Sequence, residues 1–325
     1  MAQVQERKMI DQISGWLTLF EDGSADRTWA GPPEVKFMTD AVPPHAHFVD
    51  GVATADVTPS DGPKLRIYLP EKHENDPEKL PVLIHFHGGG FCISEPDWYM
   101  YYAVYTRLAR EARAIVVSPY LRLAPEHRLP AAFDDGVAAL RWVGAGGAGE
   151  QADSSRVFLI GDSSGGNIVH QVAARAGEEG VRVAGAIPVH PGFCRARRSR
   201  SETENPETPF LTLDMMDKFL ALALPEGETK DHPYTCPMGA ALEGVELPPY
   251  LYCLAEQDLM WDTEREFYEA MKRAGKEVEL FVSRGVGHSF YLNKIAVEMD
   301  PITAAQTEEL FQRIKQFINL HSVSV

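Results

Sequence analysis

Cationic side chains are scarce in this 325-residue chain: 31 Lys and Arg stand against 47 Asp and Glu, a formal net charge of −16. That surplus repels phosphate backbones and anionic lipid, so neither nucleic acid nor a membrane is expected as a partner. Long hydrophobic runs are absent too. No stretch reaches the length of a bilayer span, and the opening Met1-Ala2-Gln3-Val4-Gln5-Glu6-Arg7-Lys8 lacks the apolar segment of a signal peptide, so a cytoplasmic location is expected. Cysteine is rare. Cys92, Cys194, Cys236 and Cys253 show no paired spacing, and no Asn-x-Ser/Thr acceptor occurs, which fits free thiols in a reducing compartment. No His/Cys/Glu cluster with ligand spacing is evident, so neither a metal nor a cofactor is expected. What remains is a chain with 44% hydrophobic residues and no internal repeat, long enough to bury a continuous core.

Two glycine motifs stand out against this background. His87-Gly88-Gly89-Gly90 follows the apolar run Pro81 to Phe86, and Gly161-Asp162-Ser163-Ser164-Gly165 follows Arg156 to Ile160. The second predicts a strand, a sharp turn bearing Ser163, and a helix over Ser164 to Ala176 whose N-terminus directs positive potential at the serine. The first predicts backbone N–H donors for a developing oxyanion, because glycine lets a substrate approach the main chain. Gly88 and Gly89 are expected to donate, together with Ser164, the residue after the nucleophile.

A serine hydroxyl needs a base, and the base needs an orienting acid. In α/β-hydrolases these follow the serine as acid and then histidine, each on a loop after a late strand. Tyr250 to Leu254 leads to Asp258, and Val278 to Val282 leads to His288. Asp258, Ser163 and His288 are thus the expected catalytic residues. Glu256 and Asp262 also lie near the strand end. Asp262 is expected instead to stabilise a helix start, since Thr263 and Glu266 have capping-box spacing. Of the other histidines, His85, His170 and His190 read as core or supporting groups, while His45, His47, His73, His232 and His321 fall in polar loops or the tail.

The run Arg122-Leu123-Ala124-Pro125-Glu126-His127-Arg128-Leu129-Pro130 resembles the signature that plant carboxylesterases of the hormone-sensitive-lipase group carry between these motifs. Gly31-Pro32-Pro33-Glu34-Val35 and Gly287-His288-Ser289-Phe290-Tyr291-Leu292-Asn293-Lys294 are similar to the subgroup of the tobacco hypersensitivity-related serine hydrolase. The resemblance implies ester hydrolysis by Ser163, Asp258 and His288 on an α/β-hydrolase fold. Two departures touch substrate preference: Tyr120-Leu121 replace the usual Asp-Tyr, and Gly144 to Gly149 form a short loop where relatives have a longer one. A lyase or cyclase acting on a specialised metabolite, and a non-catalytic receptor like those for gibberellin, are the competing readings. Receptors of that type lack the histidine.

Strands are expected near Val52 to Val57, Leu65 to Leu69, Val82 to Phe86, Ile115 to Ser118, Val157 to Ile160, Gly185 to His190, Tyr250 to Leu254 and Val278 to Val282. Helices alternate with them at Trp98 to Ala112, Ala131 to Val143, Thr263 to Ala274 and Ala304 to Ile318. The pattern predicts one α/β domain over 1–325, a mostly parallel sheet covered on both faces. Residues 1–50 and 193–237, with a helix at Leu213 to Ala223, fall outside the alternation and are expected to form a helical cap. Phe210, Leu211, Leu213, Met215, Met216, Phe219 and Leu220 mostly serve, on this view, to fasten the cap to the body. Arg195 to Arg200 is expected to be a solvated loop paired with nearby acids. The expected partner is a small-molecule ester, and the protein itself a monomer or homodimer.

Overall fold

The computed structural model describes residues 7–74, 76–238 and 242–322; the first six residues, part of the opening read above, lie outside it. The core is an eight-stranded sheet. Its strands are β4 (Val52–Val57), β5 (Leu65–Pro70), β6 (Leu80–Phe86), β7 (Ile115–Pro119), β8 (Ala152–Asp162), β9 (Gly185–Val189), β10 (Tyr250–Ala255) and β11 (Val278–Ser283), in the order β11-β10-β9-β8-β6-β7-β5-β4. β5 pairs antiparallel with β4 and β7, whereas all pairings from β7 to β11 are parallel. Parallel strands are covered on both faces, and β6, β7, β9 and β10 are accordingly buried along their whole length. Each of the eight expected strands is present.

The covering helices are α1 (Tyr99–Ala112), α2 (Ala131–Gly144), α3 (Ser164–Glu179), α6 (Trp261–Arg273) and α8 (Pro301–His321). α6 starts two residues earlier than expected. Met260 precedes its first turn, and the Thr263 hydroxyl donates to the carbonyls of Phe193 and Met260, so the expected capping box is not formed. Short helical elements with no readable period include a 3₁₀ helix over Pro33–Thr39, α4 (Arg200–Glu204), α7 (Lys294–Met299) and a 3₁₀ turn over Phe290–Leu292.

Before the sheet, the first segment is not the helical cap expected: β1 (Met9–Ile13), β2 (Leu17–Phe20) and β3 (Ala25–Asp26) form a separate antiparallel sheet, closed at Glu21 to Ser24 by a turn in which Gly23 takes φ 81°, because so tight a turn folds the chain back on itself as a hairpin. Lys218 of α5 (Leu213–Ala223) pairs with Asp11 of β1 at 3.0 Å, tying this sheet to the segment after β9. The basic run is paired as expected: Arg195 with Glu266 at 2.5 Å, Arg198 with Glu202 at 2.8 Å, Arg200 with Glu204 at 2.7 Å. All four cysteines are free. Among the described residues, no helix is long and apolar enough to cross a membrane.

Candidate active site

Ser163 stands at the junction of β8 and α3 with φ 52° and ψ −125°, a conformation costly for a residue bearing a side chain. The surroundings hold it there. Its N–H donates to the Val189 carbonyl at 3.1 Å, and its own carbonyl accepts from Gly166 and Gly192 at 2.8 and 2.9 Å. The turn is so tight that a Cβ on Gly165 would sit 2.0 Å from the Phe86 carbonyl oxygen. Glycine is required there by space alone.

Asp258 and His288 meet as the strand order predicts. The imidazole Nδ1–H donates to the Asp258 carboxylate at 2.6 Å, and the second oxygen of that carboxylate accepts the Met260 N–H at 3.0 Å. Asp258 is 0% exposed and His288 3%. Both rivals are occupied elsewhere: Glu256 accepts the Gly285 N–H at 2.9 Å, and Asp262 accepts the Ser201 N–H at 2.8 Å. Ser163 and His288 line the same cavity without a hydrogen bond between them.

The glycine loop departs from expectation at one position. Gly88 N–H already donates to the Tyr101 hydroxyl at 2.9 Å, and that hydroxyl donates to the Asp162 carboxylate at 3.1 Å. A Cβ on Gly88 would lie 2.4 Å from the same carboxylate, so this glycine makes room for Asp162 and has no N–H to offer a substrate. Gly88 does not line the cavity. Gly89, Gly90 and Ser164 do, and among the described residues their N–H groups find no acceptor. Tyr101 and Asp162, which fix the loop from behind, were not singled out from sequence. Asp162 sits inside the serine motif, but nothing in the pattern of α1 marks Tyr101.

Over Ser163 lies an apolar cavity. Its roof is Trp16, from the turn after β1, with Phe210, Leu211, Met215, Met216, Phe219 and Leu220. Six of the seven side chains expected mainly to fasten a cap thus face the cavity, and only Leu213 does not. Its floor and walls include Phe91, Ile93, Met100 and Leu292, and among the described residues no Lys or Arg lines it. Neither Tyr120-Leu121 nor the short glycine loop touches it. The Tyr120 hydroxyl instead donates to Asp97 at 3.0 Å, within the cluster of Arg66 and Asp56.

Burial keeps the surrounding histidines neutral. It pushes His87 and His170 down to about 4 and His190 to about 3. Glu264, behind Asp258 on α6, is fully buried, among the described residues neither of its carboxyl oxygens has a partner, and burial followed by the Asp258 charge holds its pKa well above the ordinary value. A raised folded-state pKa gives stability that is complete below the unfolded-state pKa near 4.5 and is lost as pH rises through the folded value. Glu264→Gln should therefore gain stability relative to wild type as pH rises from about 5 to about 8, read by urea unfolding. A difference independent of pH would show that Glu264 is ionised in the folded protein.

The alpha/beta hydrolase fold family matches residues 83–292. The chain belongs to it. It is similar to a probable carboxylesterase of Arabidopsis thaliana, 32% identical over 96% of this chain and 92% of that protein. It is also similar to a gibberellin receptor from the same plant, 36% identical over 87% of each. Among solved structures, a hyperthermophilic esterase from Pyrobaculum calidifontis superposes with a TM-score of 0.70 at 28% identity, over 84% of this chain and 86% of that one. The alpha/beta hydrolase fold and the likeness to plant carboxylesterases, read from the motifs, are thus borne out.

Proposed function

We propose that this alpha/beta hydrolase is a carboxylesterase acting on small to medium, uncharged acyl esters through an acyl-enzyme. The observation that carries the reading is the 2.6 Å bond between two buried side chains, His288 and Asp258, beside a strained serine at the floor of an apolar cavity. A receptor on this fold needs the cavity but has no use for that pair. Ser163 Oγ attacks the ester carbonyl while His288 Nε2 takes its proton, and Asp258 holds the proton on Nδ1. The oxyanion is met by the N–H groups of Gly89, Gly90 and Ser164. The tetrahedral intermediate collapses with transfer of the His288 proton to the leaving alcohol. Water, deprotonated by the same nitrogen, then releases the acid and restores Ser163. We read residues 1–50 and 193–237 as the cap that closes the site.

Without Lys or Arg in the lining, a carboxylate on the substrate would be desolvated with no partner, which disfavours anionic esters. Chain length is set by Phe219, whose ring packs so closely on Gly90 that a Cβ there would come within 2.6 Å of it. Phe219→Ala should raise the octanoate-to-acetate ratio of kcat/KM for p-nitrophenyl esters about 10-fold. An unchanged ratio would place the acyl chain elsewhere. The test of the reading itself is a single addition of an organophosphate, at Ser163, that abolishes p-nitrophenyl acetate hydrolysis. Labelling at another residue, or hydrolysis that survives the label, would overturn it.

A further inference from the structure

His190 takes no part in the chemistry so far, yet it is fully buried and its backbone holds φ 45°, an uncommon conformation for a residue with a large side chain. Three ties converge on it. The carbonyl just before it, of Val189, receives the N–H of Ser163. Its own N–H donates at 2.8 Å to the Cys253 carbonyl, on β10, the strand that runs out to Asp258. Its ring Nδ1 accepts the N–H of Ser289, the residue after His288, at 3.1 Å. A backbone N–H can only donate, so Nδ1 carries no proton and the neutral ring bears its hydrogen on Nε2. Among the described residues Nε2 has no partner, which leaves the Ser289 amide as the ring's one hydrogen bond. Ser289 itself takes φ 49° at the entry to the 3₁₀ turn. The peptide that joins His288 to Ser289 is thereby held by its N–H, and with it the backbone that carries the imidazole.

We infer that His190 is a positioning residue for His288: its imidazole, accepting the Ser289 amide, clamps the loop that carries the base to the strand ends that carry the nucleophile and the acid. The inference rests on the esterase reading. Displacing a catalytic group by about 1 Å can cost on the order of 100-fold in rate without weakening ground-state binding.

His190→Asn, His190→Leu and His190→Gly separate positioning from packing. Asn keeps a side-chain acceptor near the place of Nδ1 and tolerates positive φ; Leu fills space without accepting; Gly relaxes the backbone without accepting. For p-nitrophenyl acetate, the Leu and Gly variants should lose about 100-fold in kcat with KM within about twofold of wild type, and the Asn variant should stay within about fivefold in kcat. Circular dichroism checks that each is folded, and the strain-free Gly variant carries the test if Leu does not fold. A folded Leu or Gly variant within about fivefold of wild type in kcat would overturn the inference, as would an Asn variant as impaired as these. If wild type hydrolyses no ester, the esterase reading fails. If hydrolysis depends on Ser163 and His288 but is indifferent to His190, only this inference fails.

Discussion

Ser163→Ala should lower kcat for a p-nitrophenyl ester by about 10⁶-fold while leaving the fold intact. The size follows from the site. Removing the nucleophile leaves His288 no hydroxyl to activate for acylation, so the residual rate comes mainly from substrate binding and the oxyanion donors. The fold should survive because Ser163 is held through its backbone: its N–H and carbonyl make the three bonds that fix the turn, and among the described residues its hydroxyl has no hydrogen-bond partner. Alanine at φ 52° pays the same conformational cost as serine. A variant that hydrolyses the ester at more than about a hundredth of the wild-type rate would mean that another group attacks the carbonyl.

Asp258→Asn should cost about 10⁴ in kcat, more than any change at its acidic neighbours. The two oxygens of Asp258, which is fully buried, accept from two different donors, His288 Nδ1–H and the Met260 N–H. An amide can accept with only one of its two ends. If its NH₂ group faces the histidine, Nδ1 must lose its hydrogen, Nε2 carries it, and the nitrogen facing Ser163 can no longer take a proton. If its NH₂ group faces Met260 instead, two donors collide in a buried space. Asp262→Asn should keep wild-type kcat and lose about 1 kcal/mol, since its carboxylate receives only the Ser201 N–H in the first turn of α6. Matched stability and kinetic measurements on both variants decide the assignment. An inactive Asp262→Asn beside a near-normal Asp258→Asn would reverse it.

The parts legible in the sequence are those set by local pattern. Most strands of the large sheet announce themselves as short apolar runs, though β8 extends back through Asp153 to Arg156 beyond its run, and the serine turn is marked by glycines that only a crossing backbone demands, as the Gly165 approach to Phe86 shows. Asp258 and His288 could be picked from strand ends because the fold brings those ends to one edge. What escaped depends on residues far apart in the chain. Whether Gly88 is free to donate is decided by Tyr101 on α1, and the glycine triplet looks the same whichever two N–H groups are spare. Asp262 was assigned to a helix cap from the spacing of Thr263 and Glu266, but its partner proved to be Ser201 on α4, a helix too short to show a period. Trp16 reached the cavity from a sheet whose strands have two to five residues, too few for alternation to stand out.

The most direct measurement is rapid acid quenching of the protein during turnover of p-nitrophenyl acetate, followed by mass spectrometry of its peptides. The expected result is one acetyl group per molecule, on Ser163, appearing together with a burst of p-nitrophenol. Release of p-nitrophenol with Ser163 unmodified, or an acetyl group on any other residue, would contradict the acyl-enzyme mechanism.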